Sequence, residues 1–373
     1  MKNKICILTS VHLLFDTRIF FKEAKTLVNA GYDVILIVQH DKTEIVDGVR
    51  IVPLPGSRNR FSRMFGLTWK AFWLGLRENA RAYHFHDPEL MLTGVLLCLI
   101  GKKVVYDMHE NVSKQILNKD WIHPWIRKPL ARIFSLAERV ALANIPVIFA
   151  EISYAKDYSW VKRSEVILNM PQLDQFNEFA GRKGHGGVPI VGYLGGVSDV
   201  RGSFLMVEAI GILKSRGVNC QFHCVGSMTE KHQQELEARC HQLNLIDVHF
   251  YGELNAPDGY QIISKAGVGL AVLKPIGNYF ESYPTKMFEY MALGMPVVVS
   301  NFPLWREVVD GSRCGVCVDP LNPQATADAI QWLFEHPREA KEMGLNGQRA
   351  VLEKYNWDNE AKKLLDFYRR LFS

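Results

Sequence analysis

The chain has 373 residues, 48% hydrophobic and 22% charged, more than one hydrophobic core ordinarily organises and too apolar for a disordered chain, so two folded domains are expected. A net charge of +5 spread over that length argues against a nucleic-acid partner. The apolar runs Ile5 to Leu8 and Leu90 to Ile100 are too short for a signal-peptide core or for a membrane span of about 20 residues, which points to a cytoplasmic protein.

From the N-terminus, Ile5 to Leu8 reads as a strand, Ile19 to Asn29 as a helix with Gly31 at its C-cap, and Val34 to Val38 as a second strand: a βαβ opening. Between Arg58 and Arg81, six basic residues (Arg58, Arg60, Arg63, Lys70, Arg77, Arg81) face a single acid, Glu78, interleaved with Phe61, Phe65, Trp69, Phe72, Trp73 and Leu76 at helical spacing. The plainer reading is a helix packing its aromatic stripe on a sheet, the sharper one a surface touching anionic lipid. Trp121 to Arg132 is a second basic, aromatic stretch. Strands are expected at Ala82 to Phe85, Lys103 to Tyr106 and Val147 to Phe149, each followed by polar or ionisable residues. Binding groups of such a parallel sheet lie at the carboxyl ends of its strands, which singles out His86 and Asp87 within HFHDPE and His109 within YDMHEN. The pair His84 and His86 suggests a metal, but no third ligand is evident, so none is expected.

Residues 1–170 therefore read as one domain. Residues 171–188, with Pro171 and glycines at 181, 184, 186 and 187, read as a linker. The alternation restarts at Pro189 to Leu194 and runs through Ser203 to Ser215 (helix), Gln221 to Val225 (strand), Lys231 to Leu243 (helix), and strands at Val248 to Tyr251, Gly269 to Leu273 and Val297 to Ser300. Residues 189–355 form a second domain and 356–373 a last helix. The expected class is α/β, two Rossmann-like domains facing each other across a cleft. Seven cysteines scattered in or beside apolar runs fit reduced thiols, and the lone pair Cys314 and Cys317 reads as core packing, because a structural zinc site needs a second pair.

The most informative stretch is ESYPTKMFEYMALGMPVVVSN, Glu281 to Asn301. Pro284 suits the first turn of a helix, Gly294 its end, and Pro296 stops continuation. The start of that helix, at Tyr283, Pro284 and Thr285, offers unpaired N–H groups and a partial positive charge to a diphosphate. Glu281 and Glu289 flank and follow it as acceptors for sugar and ribose hydroxyls. Upstream, GYLGGVSDVRG places Gly195 and Gly196 in a turn after a strand, and Arg201 before a helix, where a cation neutralises a growing pyrophosphate charge.

Glu281 and Glu289 with the residues between them match the E-x7-E element of retaining two-domain glycosyltransferases of the family-4 type, and GYLGGVSDVRG resembles the same family's glycine turn. The resemblance implies the GT-B fold, a hexosyltransferase reaction with retention, and a nucleotide-diphosphate sugar, UDP- or GDP-linked, as co-substrate without metal or other cofactor. Two positions depart from the pattern: Arg201 stands for lysine, and Gly196 for arginine, so Lys286 is a candidate for the missing charge. His109 looks like the histidine that faces the donor sugar. The first loop, TSVHLLFDTRIFFKEA, lacks the common Gly-Gly turn and resembles a subgroup of bacterial polysaccharide synthesis. Asp16 and Arg18 are then candidates for contacting acceptor or phosphate, with His86 and Asp87 on the acceptor side; equally, Asp16 and Arg18 pair with one another. The subgroup implies a saccharide or lipid-linked saccharide acceptor, and a protein peripheral on the inner face of an anionic membrane. The alternatives are a nucleotide-sugar 2-epimerase and a catalytically silent nucleotide-sugar-binding partner.

Overall fold

The computed structural model describes residues 3–56, 66–119, 122–179, 187–277 and 279–373. Arg58, Arg60, Phe61, Arg63, Phe65, Trp121, Gly181, Gly184 and Gly186 lie outside them. The chain divides into two compact units, Met1–Asn169 with Trp357–Ser373, and Met170–Asn356.

In the first unit, β1 (Lys4–Leu13), β2 (Asp33–Gln39), β3 (Glu44–Val46), β4 (Val49–Leu54), β5 (Ala82–Phe85), β6 (Lys103–Met108), β7 (Val147–Phe149) and β8 (Ser164–Val166) form one described sheet. Their order is β3-β4-β2-β1-β5-β6-β7-β8, parallel except for the β3–β4 hairpin. Runs such as Ile5 to Leu8 and Val34 to Val38 are buried on both faces, as a parallel sheet covered by helices requires. One face is covered by α1 (Lys25–Asn29), continuing from a wider turn at Thr17–Ala24, and by the C-terminal helix Trp357–Phe372, whose Leu364, Phe367 and Tyr368 pack with Ile5, Leu36 and Val105. The other carries α2 (Thr68–Glu78) and α3 (Met91–Leu99) through Phe72 and Leu97. Beyond them, α4 (Val112–Asn118) and α5 (Pro124–Ala141) close around Ile116, Ile122 and Ala131, and α6 (Ile152–Asp157) packs back through Tyr154. The aromatic stripe of α2 is split: Phe72 packs inward, whereas Trp69 and Trp73 stand 53% and 46% exposed. At 3.6 residues per turn the tryptophans fall opposite the buried Ala71 and Gly75.

In the second unit, β9 (Ile190–Leu194), β10 (Gln221–Val225), β11 (Val248–Gly252), β12 (Val268–Ala271), β13 (Val297–Ser300) and β14 (Gly315–Val318) form a parallel sheet in the order β11-β10-β9-β12-β13-β14. This is the doubly wound order, whose ligands sit where the order reverses, here between β9 and β12. The helices α7 (Ser203–Ser215), α8 (Glu230–Gln242), α9 (Ala256–Ile263), α10 (Thr285–Ala292), α11 (Pro303–Ser312), α12 (Pro323–Glu335) and α13 (Pro337–Glu353) complete it. The same order recurs in the first unit as β4-β2-β1-β5-β6-β7, reversing between β1 and β5.

The segment expected as a linker is structured at its start. Leu173–Phe176 forms a short helical turn, and Phe176 and Phe179 are buried against Tyr260 of the second unit, with ring centroids 4.7 and 6.2 Å away. Two aromatic side chains sufficed to anchor a stretch without apolar periodicity. Cys314 and Cys317 are free thiols, pushed up by burial to about 12 and about 11.

Candidate active site

At the carboxyl end of β9 the chain passes through Gly195 and Gly196, a short turn at Asp199–Arg201, and Gly202 into α7. Gly202 has φ +78°, and a Cβ there would lie 1.9 Å from the Val272 carbonyl oxygen, so glycine alone lets this loop pass the end of β12. The turn brings Arg201 against Gly196: Nη1 is 3.5 Å from the Gly196 carbonyl oxygen, and a Cβ on Gly196 would stand 2.9 Å from Nη1. The Arg201 guanidinium thus packs directly against Gly196. Tyr193 Oη donates to the Gly196 carbonyl at 2.7 Å and holds the turn.

Beyond β12, α10 begins just after Pro284, and among the described residues no side chain caps its first amides. Lys286, in that first turn, points inward. It is buried, its Nζ lies 3.8 Å from the centroid of the Tyr193 ring, and it has no hydrogen-bond partner among the described residues. A Cβ on Gly195 would stand 3.2 Å from that Nζ, so the missing side chain leaves room for the ammonium. Burial, and then the charge of Arg201, push Lys286 down to about 7. Glu281 ends a turn at Tyr279–Glu281 and is half-buried. Half-buried Glu289 accepts a hydrogen bond from Tyr260 Oη at 3.4 Å. Tyr283 packs on Phe288 at 5.5 Å, and Thr285 is exposed. The second unit therefore gathers Gly195, Gly196, Arg201 and Lys286 at the end of β9, with the α10 residues continuing from Lys286.

The first unit gathers a different set at the ends of β1, β5 and β6. Arg18 Nη2 lies 2.8 Å from Asp107 Oδ2 and its Nε 3.0 Å from Glu23 Oε1, all buried. Arg18 does not pair with Asp16, whose carboxylate instead accepts from the Arg18 and Ile19 amides at 2.9 Å each and lies 3.1 Å from His12 Nδ1. That is a correction for Arg18: at 3% exposure it is an internal counter-ion. Burial opposes the charge of Arg18, but Asp107 and Glu23 more than compensate and raise its pKa. Burial would also raise Asp107, yet Arg18 and His109 hold it well below the carboxylate range, whereas burial and then Asp107 drive Glu23 well above it. Burial likewise lowers His84 to about 4 and His86 well below the histidine range. For Asp16, burial is outweighed by His12 and the backbone amides, leaving it at about 2.

His86 and Asp87, expected on the acceptor side, are 1% and 2% exposed. Asp87 Oδ2 accepts from the Thr9 hydroxyl at 2.8 Å and the Ser10 amide at 2.6 Å, tying the end of β5 to β1. His109 Nε2 sits 2.9 Å from Asp107 Oδ1 and 3.0 Å from His86 Nδ1. The C-terminal helix reaches the same cluster, with Tyr368 Oη 2.9 Å from His84 Nδ1.

The absence of a third ligand for the histidine pair is also corrected. His84 and His86 stack on one face at 4.6 Å, and with Glu23 and Asp107 they offer four ligand atoms within 4.8 Å of one another. Arg18 already occupies both carboxylates, 2.8 Å from Asp107 and 3.0 Å from Glu23. A divalent cation would have to compete with a guanidinium for the same oxygens. Glu23, Tyr193, Tyr260 and Tyr368 were not singled out from sequence; each lies in an ordinary helical or strand pattern, and only tertiary contact assigns it.

Residues 18–159 match the family described as Glycosyltransferase Family 4, and residues 175–350 that described as Glycosyl transferases group 1. Among characterised relatives, D-rhamnosyltransferase WbpZ of Pseudomonas aeruginosa is 29% identical over 117 residues, 31% of this chain and 30% of that protein's length. Sucrose-phosphate synthase from Thermosynechococcus elongatus superposes with a TM-score of 0.79 at 20% identity, covering 100% of this chain and 99% of that one. Anabaena HepE in complex with UDP and glucose superposes with a TM-score of 0.74 at 13% identity, covering 99% and 100%. Such identities establish a shared GT-B fold. Along the chain, a segment similar to Glycosyltransferase Family 4 is thus followed by one similar to Glycosyl transferases group 1.

Proposed function

We propose that the protein is a retaining glycosyltransferase that moves a hexose-type sugar from a UDP- or GDP-linked donor to an acceptor hydroxyl. One observation carries this reading: a buried Lys286 ammonium without a hydrogen-bond partner among the described residues, beside Arg201 and the uncapped start of α10. Two cations and a helix N-terminus together suit a diphosphate. The naming of WbpZ as a rhamnosyltransferase and the binding of UDP and glucose by HepE support the same chemistry.

In the proposed reaction the bond between the anomeric carbon and the phosphate oxygen breaks while the acceptor oxygen bonds to that carbon on the same face. The departing phosphate takes the acceptor's proton. Arg201, which binds phosphate bidentately, and Lys286 stabilise the charge that develops on the diphosphate. Glu281 accepts hydroxyls of the sugar, and Glu289, oriented by Tyr260, those of the ribose. His109 faces the donor sugar, with the Asp107 carboxylate 2.9 Å from its Nε2. The burial of Arg18, His86 and Asp87 supports a positioning role for them, leaving His12 and Asp16, both partly exposed, as the ionisable groups of the first loop nearer solvent. The acceptor is proposed to be a lipid-linked saccharide at an anionic membrane surface, in keeping with the subgroup resemblance; no described helix is long and apolar enough to cross a membrane.

With two fixed cations doing the electrostatic work of a metal, turnover is expected to survive EDTA; abolition by chelator would refute metal independence. The reading as a whole is tested by thermal shift against a panel of UDP- and GDP-sugars. A true donor at 100 times its Kd stabilises by about 2.7 kcal/mol. If no nucleotide sugar raises the melting temperature and none is consumed with saccharide acceptors, the proposal fails.

A further inference from the structure

One side chain spans the crevice where β9 and β12 part. The two strands stay in register at Val191 with Val268 and at Gly192 with Gly269. Just beyond, the Tyr290 hydroxyl accepts from the Leu194 amide of β9 at 2.7 Å and donates to the Leu270 carbonyl of β12 at 3.2 Å. A phenol offers a donor and an acceptor at one atom, so a single side chain answers one backbone group on each strand. Burial pushes this phenol well above its ordinary value, which keeps on it the proton it donates. Its ring lies against Gly269, where a Cβ would stand 2.5 Å from it, so the wedge needs glycine there.

Tyr290 belongs to α10 and follows Lys286 by four residues, so the two side chains leave one face of the helix a turn apart. Both are buried. Apolar burial of Met287, Phe288 and Met291 holds α10 in the second unit without setting its direction, whereas hydrogen bonds require one. The hydroxyl thus fixes the rotation of α10 against β9, and with it the place of the Lys286 ammonium, 3.8 Å from the centroid of the Tyr193 ring. Tyr193 stands on the same strand, directly before Leu194, and its hydroxyl holds the Gly196 turn that Arg201 packs against. One registration of helix on strand therefore sets both cations.

We infer that Tyr290 is a positioning residue for the reaction: its hydroxyl, bridging Leu194 and Leu270, holds α10 so that the Lys286 ammonium stands ready for the leaving diphosphate. The diphosphate rests on the donor reading given above, whereas the placement of Lys286 by Tyr290 is measurable in the free protein.

The test is Tyr290→Phe in the full chain, which keeps the ring and removes the bridge. Lys286 is followed by NMR in protein with an isotope label on the lysine ε-carbon, its resonance identified by loss in Lys286→Met. The wild-type titration is expected at about 7; in Tyr290→Phe it should move up toward the ordinary lysine value as the ammonium gains water. Turnover should fall ~10–10²-fold, and Tyr290→Phe should add no further loss to Lys286→Met, since it acts through that residue. Leu236→Ala, in the buried core of the same unit, is the control: it should lower the melting temperature without moving the titration. Gly269→Ala, which presses a methyl group on the Tyr290 ring, should move the titration as Tyr290→Phe does and decides the matter if that variant does not fold. A Lys286 titration left at its wild-type position overturns the inference, as does a loss of turnover that adds in full to that of Lys286→Met. Wild-type protein that binds no nucleotide sugar sinks the donor reading instead, and the titration still decides whether Tyr290 places Lys286.

Discussion

At the carboxyl ends of β1, β5 and β6, Arg18 is met by Asp107 at 2.8 Å and Glu23 at 3.0 Å. At the carboxyl end of β9, Lys286, also buried, has its Nζ 3.8 Å from the centroid of the Tyr193 ring and no hydrogen-bond partner among the described residues, with burial and the like charge of Arg201 outweighing the attraction of Glu289. The charge of the first cation is compensated within the fold, although its Nε and Nη1 make no hydrogen bond among the described residues. The second costs stability until an anion arrives. Buried charge in one unit serves architecture, and in the other is held ready for a ligand.

The comparison breaks most visibly if the two cations are removed in turn. Arg18→Met should leave Asp107 without its counter-ion and cost about 3–5 kcal/mol of stability in chemical denaturation; an unchanged midpoint would show that the cluster is not a buried ion pair. Lys286→Met should act in the opposite sense. Folded Lys286 sits near 7 against an ordinary 10.5, so the unfolded chain holds a proton that the folded one releases, and the free protein gains stability as pH rises across that window. The methionine removes that penalty. The variant should melt higher when free, lose the melting shift given by UDP or GDP, and fall ~10²–10³-fold in turnover. Turnover equal to wild type would remove Lys286 from the reaction.

A pH titration of donor affinity sharpens the contrast. A bound diphosphate raises the Lys286 pKa from about 7, so affinity should be flat below that pH and fall about tenfold per unit above it. Calorimetry in buffers of different ionisation enthalpy should register uptake of a proton near pH 8. Affinity independent of pH between 7 and 9 would mean that the ammonium is not engaged. The smallest effect is expected at Glu289→Ala, which should weaken donor binding about five- to tenfold while leaving turnover at saturation nearly unchanged; a selective loss of turnover would move Glu289 from binding to chemistry.

The sheet strands and the α10 helix were legible because their signals are local. Ala82–Phe85, Val147–Phe149, Gln221–Val225 and Val297–Ser300 are apolar runs bounded by turn residues, and Gly294, with φ +71°, ends α10 where a C-cap glycine should. The β3–β4 hairpin went unread although Asp47 and Gly48, both at positive φ, carry its turn signal. The roles of Arg18, His86 and Asp87 were not legible, because each has a partner distant in sequence: Arg18 meets Asp107 of β6, His86 meets Glu23 of the Thr17–Ala24 turn, and Asp87 meets Thr9 and Ser10 of β1. Ionisable residues at strand ends look alike in sequence whether they face a ligand or one another. Gly196 was legible as a departure, but the guanidinium of Arg201 packed against it was not.

The most direct test of the central claim is a crystal structure of the protein soaked with UDP or GDP. The account predicts the diphosphate against the Arg201 guanidinium and the Lys286 ammonium, with its oxygens on the first amides of α10. A nucleotide bound elsewhere, or a diphosphate that leaves Lys286 without an anionic partner, would contradict it.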